Sequence, residues 1–110
     1  MWAKPTKRDL ESMPKLYSTE SPTTADRIIH GHFFLGGCDW YVTEYCPKDR
    51  IFFGFVILNG DFQMAEWGNI SYDELIDLKI QGIFEVDYDK HWKKRPAREV
   101  DNIVKGGGVY

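Results

Sequence analysis

The stretch Ile51-Phe52-Phe53-Gly54-Phe55-Val56-Ile57-Leu58 decides the fold. It is apolar at nearly every position and rich in aromatic and β-branched residues, the composition of a central strand covered on both faces. The glycine inside it predicts a bulge or a close approach of neighbouring backbone. Working outward, residues 28–35, 39–46 and 63–70 have the same strand-like character. Their connections are short. Gly36-Gly37, Pro47-Lys48-Asp49-Arg50 and Asn59-Gly60-Asp61 supply turn residues, and Asn-Gly suits the positive φ angles of a tight hairpin. The expectation is an antiparallel β-meander of four to five strands.

After the meander, Ser71-Tyr72-Asp73-Glu74 reads as a capping box that opens a helix from residue 72 to about 80, stopped by Gly82. Residues 83–89 then alternate in polarity as a returning strand. A short C-terminal helix is expected after Pro96, with Val100, Ile103 and Val104 on one stripe, ending at Gly106-Gly107-Gly108. On the N-terminal side, Leu10, Met13, Leu16 and Tyr17 recur at helical spacing. They predict a short helix ending before Pro14, with Leu16 and Tyr17 anchoring the arm and residues 18–24 as a loop. The fold class is therefore α+β: residues 1–27 an N-terminal arm packing on the core, 28–105 a single α+β domain, and 106–110 a flexible tail.

A chain of 110 residues with 43% hydrophobic content excludes a wholly disordered protein and has room for one core. Its longest apolar run, 51–58, is far shorter than the roughly 18 residues of a membrane span. Met1-Trp2-Ala3-Lys4-Pro5 has no signal-peptide hydrophobic region. A soluble cytoplasmic protein is expected, with Cys38 and Cys46 reduced, no membrane partner and no cofactor. The net charge of −3 is unevenly spread: residues 1–27 carry +1, 28–89 carry −8, and 90–110 carry +4. Two oppositely charged segments either steer separate partners or neutralise each other on the folded surface.

Five motifs occur in a specific order: Leu16-Tyr17-Ser18-Thr19-Glu20, Trp40-Tyr41-Val42-Thr43-Glu44-Tyr45, Phe52-Phe53-Gly54-Phe55-Val56, Glu66-Trp67-Gly68-Asn69-Ile70-Ser71 with Glu74-Leu75, and Asp87-Tyr88-Asp89-Lys90-His91-Trp92. Over residues 14–100 this order resembles domain of unknown function family 2958, small proteins of bacteria, plasmids and phages. The resemblance implies a small α+β domain carried on mobile elements, with no enzymatic activity and no established catalytic residue. Family members commonly have Lys or an apolar residue at the position of His30, so a site built on His30 would be particular to this chain.

Four constellations have chemical content. His30 and His32, two apart on an expected strand, share a face, and with Cys38 and Cys46 they make a mixed zinc-type ligand set, the basis of a small metal-binding enzyme. Glu44, Glu66, Asp87 and Asp89 with His91 form an acid–base or magnesium set, and Cys46 with His30 or His32 a thiol nucleophile. Lys90, Trp92, Lys93, Lys94, Arg95 and Arg98 mix cations with a ring, as nucleic-acid-binding modules do. The chain also has more large rings than one side of such a sheet hides. Either the arm and the C-terminal helix cover them, or Trp40, Tyr41, Glu44, Tyr45, Glu66, Trp67, Asp87 and Asp89 form an acidic, aromatic protein-binding surface. The leading expectation is a non-enzymatic accessory protein of a mobile element, monomer or homodimer. It engages a host or element-encoded protein, as an anti-CRISPR or anti-restriction inhibitor of host defence would.

Overall fold

The computed structural model describes residues 1–19 and 23–110; the expected loop over 18–24 lies partly outside the described residues. In chain order the elements are α1 (Lys7–Glu11), β1 (Ile28–Ile29), β2 (Gly31–Leu35), β3 (Cys38–Cys46), β4 (Ile51–Ile57), β5 (Glu66–Ser71), α2 (Tyr72–Asp77), β6 (Lys79–Ile80), β7 (Phe84–Glu85), β8 (Asp87–Tyr88), β9 (Arg95–Pro96) and α3 (Asp101–Lys105). Short 3-10 turns at Thr24–Asp26 and Ala97–Glu99 precede β1 and α3. The main sheet runs β5-β4-β3-β2-β8, antiparallel throughout. This is the expected α+β meander, with β4 inside the sheet and a fifth strand returning to the far edge.

β4 alternates cleanly. Phe52 and Val56 face one side with Phe33, Leu35, Trp40, Val42 and Ile70; Phe55 and Ile57 face the other with Tyr41. The first face is covered by α2, by Met1 and Met13 of the arm, and by Val86. The second is covered by Ile29 and by Ala97, Val100 and Ile103 around α3. Gly54 sits opposite a bulge in β3: Val42 pairs with Gly54, Glu44 pairs with Phe53, and Thr43 is the extra residue. A Cβ on Gly54 would lie 2.1 Å from the Tyr41 carbonyl oxygen, so no larger residue fits this crossing. The Thr43 hydroxyl donates to the Phe53 carbonyl at 3.2 Å, which closes the bulge. The extra residue also reverses the parity of β3, turning Tyr45 toward Phe52 and Glu44 to the opposite face.

Several boundaries differ from the sequence reading. The first strand breaks at His30, so that β1 pairs with β9 while β2 joins the main sheet. α2 ends at Asp77 because Leu78 turns extended (φ −68°, ψ 124°) and feeds a β6–β7 hairpin. Gly82 is the tip of that hairpin and not a helix stop: Gln81 and Gly82 adopt φ of 56° and 69°, and the Ile83 amide donates to the Ile80 carbonyl. The returning segment splits at buried Val86 into β7 and β8, which pair with different partners. In the C-terminal helix Val100 and Ile103 are buried as expected, whereas Val104 is exposed.

Both ends of the chain lie on the core. α1 opens with a reciprocal Thr6–Asp9 capping box, ends before Pro14 and delivers Met13 to the first face. Tyr17 is 70% exposed, so its ring is not an anchor; its amide and that of Thr19 instead donate to the Glu44 carboxylate at 3.0 and 2.9 Å. Residues 106–110, read from the sequence as a flexible tail, lie along the second face. The Gly108 carbonyl accepts from the Trp67 indole at 2.9 Å, and a Cβ on Gly108 would stand 2.7 Å from the Phe55 ring. The Tyr110 carbonyl accepts from the Thr24 amide at 3.0 Å.

Candidate functional site

The sequence-derived constellations do not assemble. Cys38 and Cys46 occupy opposite ends of β3, eight residues or about 26 Å apart. Cys38 is buried and accepts from the Asn59 amide; Cys46 contacts Asp49. His32 pairs with Asp39 at 2.7 Å and stacks on Tyr41, while His30 opens toward a different cleft. Among the described residues no group of three His, Cys, Asp or Glu could hold a metal ion. The metal set and the thiol–histidine pair are therefore dispersed, because the break at His30 and the length of β3 separate their members.

The carboxylate set is dispersed too. Glu44 is 1% exposed beneath the arm. Glu66 lies on β5 at one edge of the sheet and Asp87 on β8 at the other, four strand spacings or about 19 Å away. Asp87 accepts from the Ala3 amide, and Asp89 accepts from the His91 amide. Trp40, Tyr41 and Tyr45 are 3–5% exposed, so the rings expected at a protein-binding surface belong to the two cores. Of that set only Glu66 is exposed; Trp67 is half-buried, with Phe53 stacked beside it and Arg27 over its ring.

The basic segment divides as well. Arg98 pairs with Asp26, Arg95 lies 4.1 Å over the Trp92 ring, and the Trp92 indole donates to the Ile29 carbonyl. Trp92 is packed into the second core and does not offer the free stacking face expected of a single-strand binder. Lys93 points to solvent, and Lys90 and Lys94 line a cleft with His30.

A different site emerges from the turn after β4. Asn59 and Gly60 take φ of 54° and 67°, and the Gly60 amide donates to the Gly37 carbonyl at 2.7 Å, tying this turn to the β2–β3 hairpin. Asp61 then caps the Gln63 and Met64 amides at 3.1 and 3.2 Å, which holds Met64 outward, 77% exposed. Between this turn and β5 runs a groove of about 460 Å³ with Val56, Leu58 and Met64 as apolar lining and Asp61 and Glu66 as carboxylates. A second hollow of about 350 Å³ shares Val56, Leu58 and Asn69 and continues past Glu74 to Leu78. β5 is the outer strand of the sheet, and the space beside Gly68 is open.

Among the described residues no Lys or Arg lines either hollow. The sequence carried that signal: between Arg50 and Lys79 there are five carboxylates and no Lys or Arg. The arrangement combines an apolar floor, an acidic rim and an exposed strand edge, the features that receive an extended, cationic polypeptide segment. No family model, curated protein or solved structure matches the chain.

Proposed function

We propose that this protein is a non-enzymatic binding protein that takes a cationic segment of a partner protein into the groove beside β5. The observation that supports the reading is the coincidence of three carboxylates, Asp61, Glu66 and Glu74, with exposed Leu58 and Met64 and with no cation in the lining. Apolar contact supplies affinity for such a segment, and the acidic rim selects its charge and speeds encounter. The motif resemblance to a family of plasmids, integrative elements and phages extends the proposal to a host or element-encoded protein. A host defence component with a basic nucleic-acid site is the kind of target that an acidic groove would occupy.

The test is photo-crosslinking from position 64 in native-host lysate, with and without nuclease, using a variant carrying a photoreactive residue in place of Met64. A nuclease-resistant protein adduct is expected. Glu66→Lys and Glu74→Gln together should reduce its yield by about tenfold or more while leaving the melting temperature nearly unchanged, since both side chains are exposed and Asp61, which holds the turn under Met64, is kept. An adduct of unchanged yield in the doubly substituted protein, or one consisting only of nucleic acid, would overturn the assignment.

A further inference from the structure

On the opposite edge of the sheet, a cleft of about 300 Å³ lies between α1 and the segment that follows β8. We propose that it binds the phosphate monoester of a small hydroxylated ligand, with Lys4, Lys90 and Lys94 holding the phosphate and the His30 imidazole donating to it. Two independent features carry this. Among the described residues the three lysines lining the cleft form no ion pair, although the chain holds more acidic than basic side chains. His30 lines the same cleft, and its buried Nδ1 atom has no hydrogen-bond partner among the described residues, a cost that turning the ring toward a bound acceptor would relieve.

The donor chemistry selects phosphate. Lysine ammonium groups act as point charges suited to a phosphate, whereas planar carboxylates are better matched by the arginine fork, and no arginine lines this cleft. The Thr6 hydroxyl accepts from the Asp9 amide at 3.0 Å and keeps its own proton for donation. The Tyr88 hydroxyl, also in the lining, has no hydrogen-bond partner among the described residues.

Two carboxylates share the cleft, and their placement defines the rest of the ligand. Asp9 accepts from the Thr6 amide and Asp89 from the His91 amide, so each is oriented by backbone. Both act on Tyr88, while Lys94 acts on His30, whose pKa is lowered first by burial and then by that ammonium. Lys94 thus lies near His30, and the two carboxylates lie near Tyr88. A ligand with a phosphate at one end and hydroxyl donors at the other satisfies both. The volume lies at the lower bound of small-molecule sites, and the engaged ring of Trp92 leaves no platform for a stacked nucleic-acid strand.

Calorimetric titration of the full chain with ribose 5-phosphate, inorganic phosphate, ribose and a short single-stranded oligonucleotide tests the assignment. Saturable binding of ribose 5-phosphate is expected in the millimolar range or tighter, with weaker binding of inorganic phosphate and none of ribose. Lys90→Gln with Lys94→Gln should weaken it by about tenfold or more at unchanged melting temperature, and His30→Gln should weaken it by a smaller factor. If His30→Gln does not fold, the exposed lysine pair still decides the matter. Absence of saturable phosphate binding, affinity unchanged by the lysine substitutions, or binding of the oligonucleotide alone with steep salt dependence would each overturn the proposal.

Discussion

The two faces of the central sheet are held in different ways. On the face covered by α2, rings meet rings: Phe52 lies 4.5 to 5.4 Å from Tyr45, Phe33 and Tyr72, and Phe33 lies 4.9 Å from Tyr88. On the other face, polar contacts recur between the rings. His32 stacks on Tyr41 at 4.4 Å and pairs with Asp39, Asn102 donates to the Tyr41 hydroxyl at 2.9 Å, and the Trp67 and Trp92 indoles donate to backbone carbonyls. The reason lies in what covers each face. The first face receives Tyr72 and Leu75 of α2 with Met1 and Met13 of the arm, which bring side-chain surface, whereas on the second the Gly108 and Ile29 carbonyls are buried beside the rings and take up the indole donors.

The largest effect should come from the ring face. Phe52→Ala deletes a fully buried ring that meets three others, and chemical denaturation should show a loss of about 3–5 kcal/mol. A loss below about 1 kcal/mol would show that this face is loosely packed and erase the contrast. Next in size is the polar face. Glu44→Ala strips the acceptor from the Tyr17 and Thr19 amides and from the Thr19 hydroxyl, at an expected cost of about 2–4 kcal/mol. Limited proteolysis should then cut first at the arm, and Glu44→Gln should recover part of the loss. Cleavage elsewhere would separate Glu44 from arm docking.

The smallest effect at neutral pH belongs to Tyr88 on the ring face. Burial, then Asp9 and Asp89, push its phenol up to about 12, and burial raises Tyr45 and Tyr72 as well. An unfolded chain releases phenolic protons near pH ~10 while the folded chain retains them. Stability should therefore hold below about pH 10 and fall as pH rises toward the folded value of about 12. Tyr88→Phe should leave the neutral melting temperature nearly unchanged and flatten the alkaline fall. An equally steep alkaline fall would move that sensitivity to the remaining tyrosines.

Much of the sheet was legible because its signals are local. Apolar run, turn residues and the Ser71 cap, whose hydroxyl accepts from the Glu74 amide at 3.2 Å, sit where the sequence places them. The helix boundaries are less so: the sequence predicts helix through Leu78, yet pairing of Lys79 with Glu85 draws the next residues into a hairpin. The candidate groove was half legible. In the sequence Glu66 stands out as a surface carboxylate, while Asp61 and Glu74 have the character of turn and cap residues, although the cation-free run from 51 to 78 contains them all. Nothing local in Met64 distinguishes an exposed groove wall from a core residue, since its position follows from the Asp61 turn.

By itself the sequence determined that strands form, where they turn and that β4 lies inside, because these follow from side-chain branching, apolarity and glycine chemistry within a few residues. Only the tertiary structure decided which face each β3 side chain meets. A simple alternation would carry Glu44 to the side of Trp40 and Val42, but the extra Thr43 opposite Gly54 reverses the count. It sends Tyr45 into the ring cluster and Glu44 beneath the arm. One inserted residue shifts every position after it, and its place is fixed by backbone of one strand approaching a missing side chain on another, a contact between residues 12 apart that no period-two pattern contains.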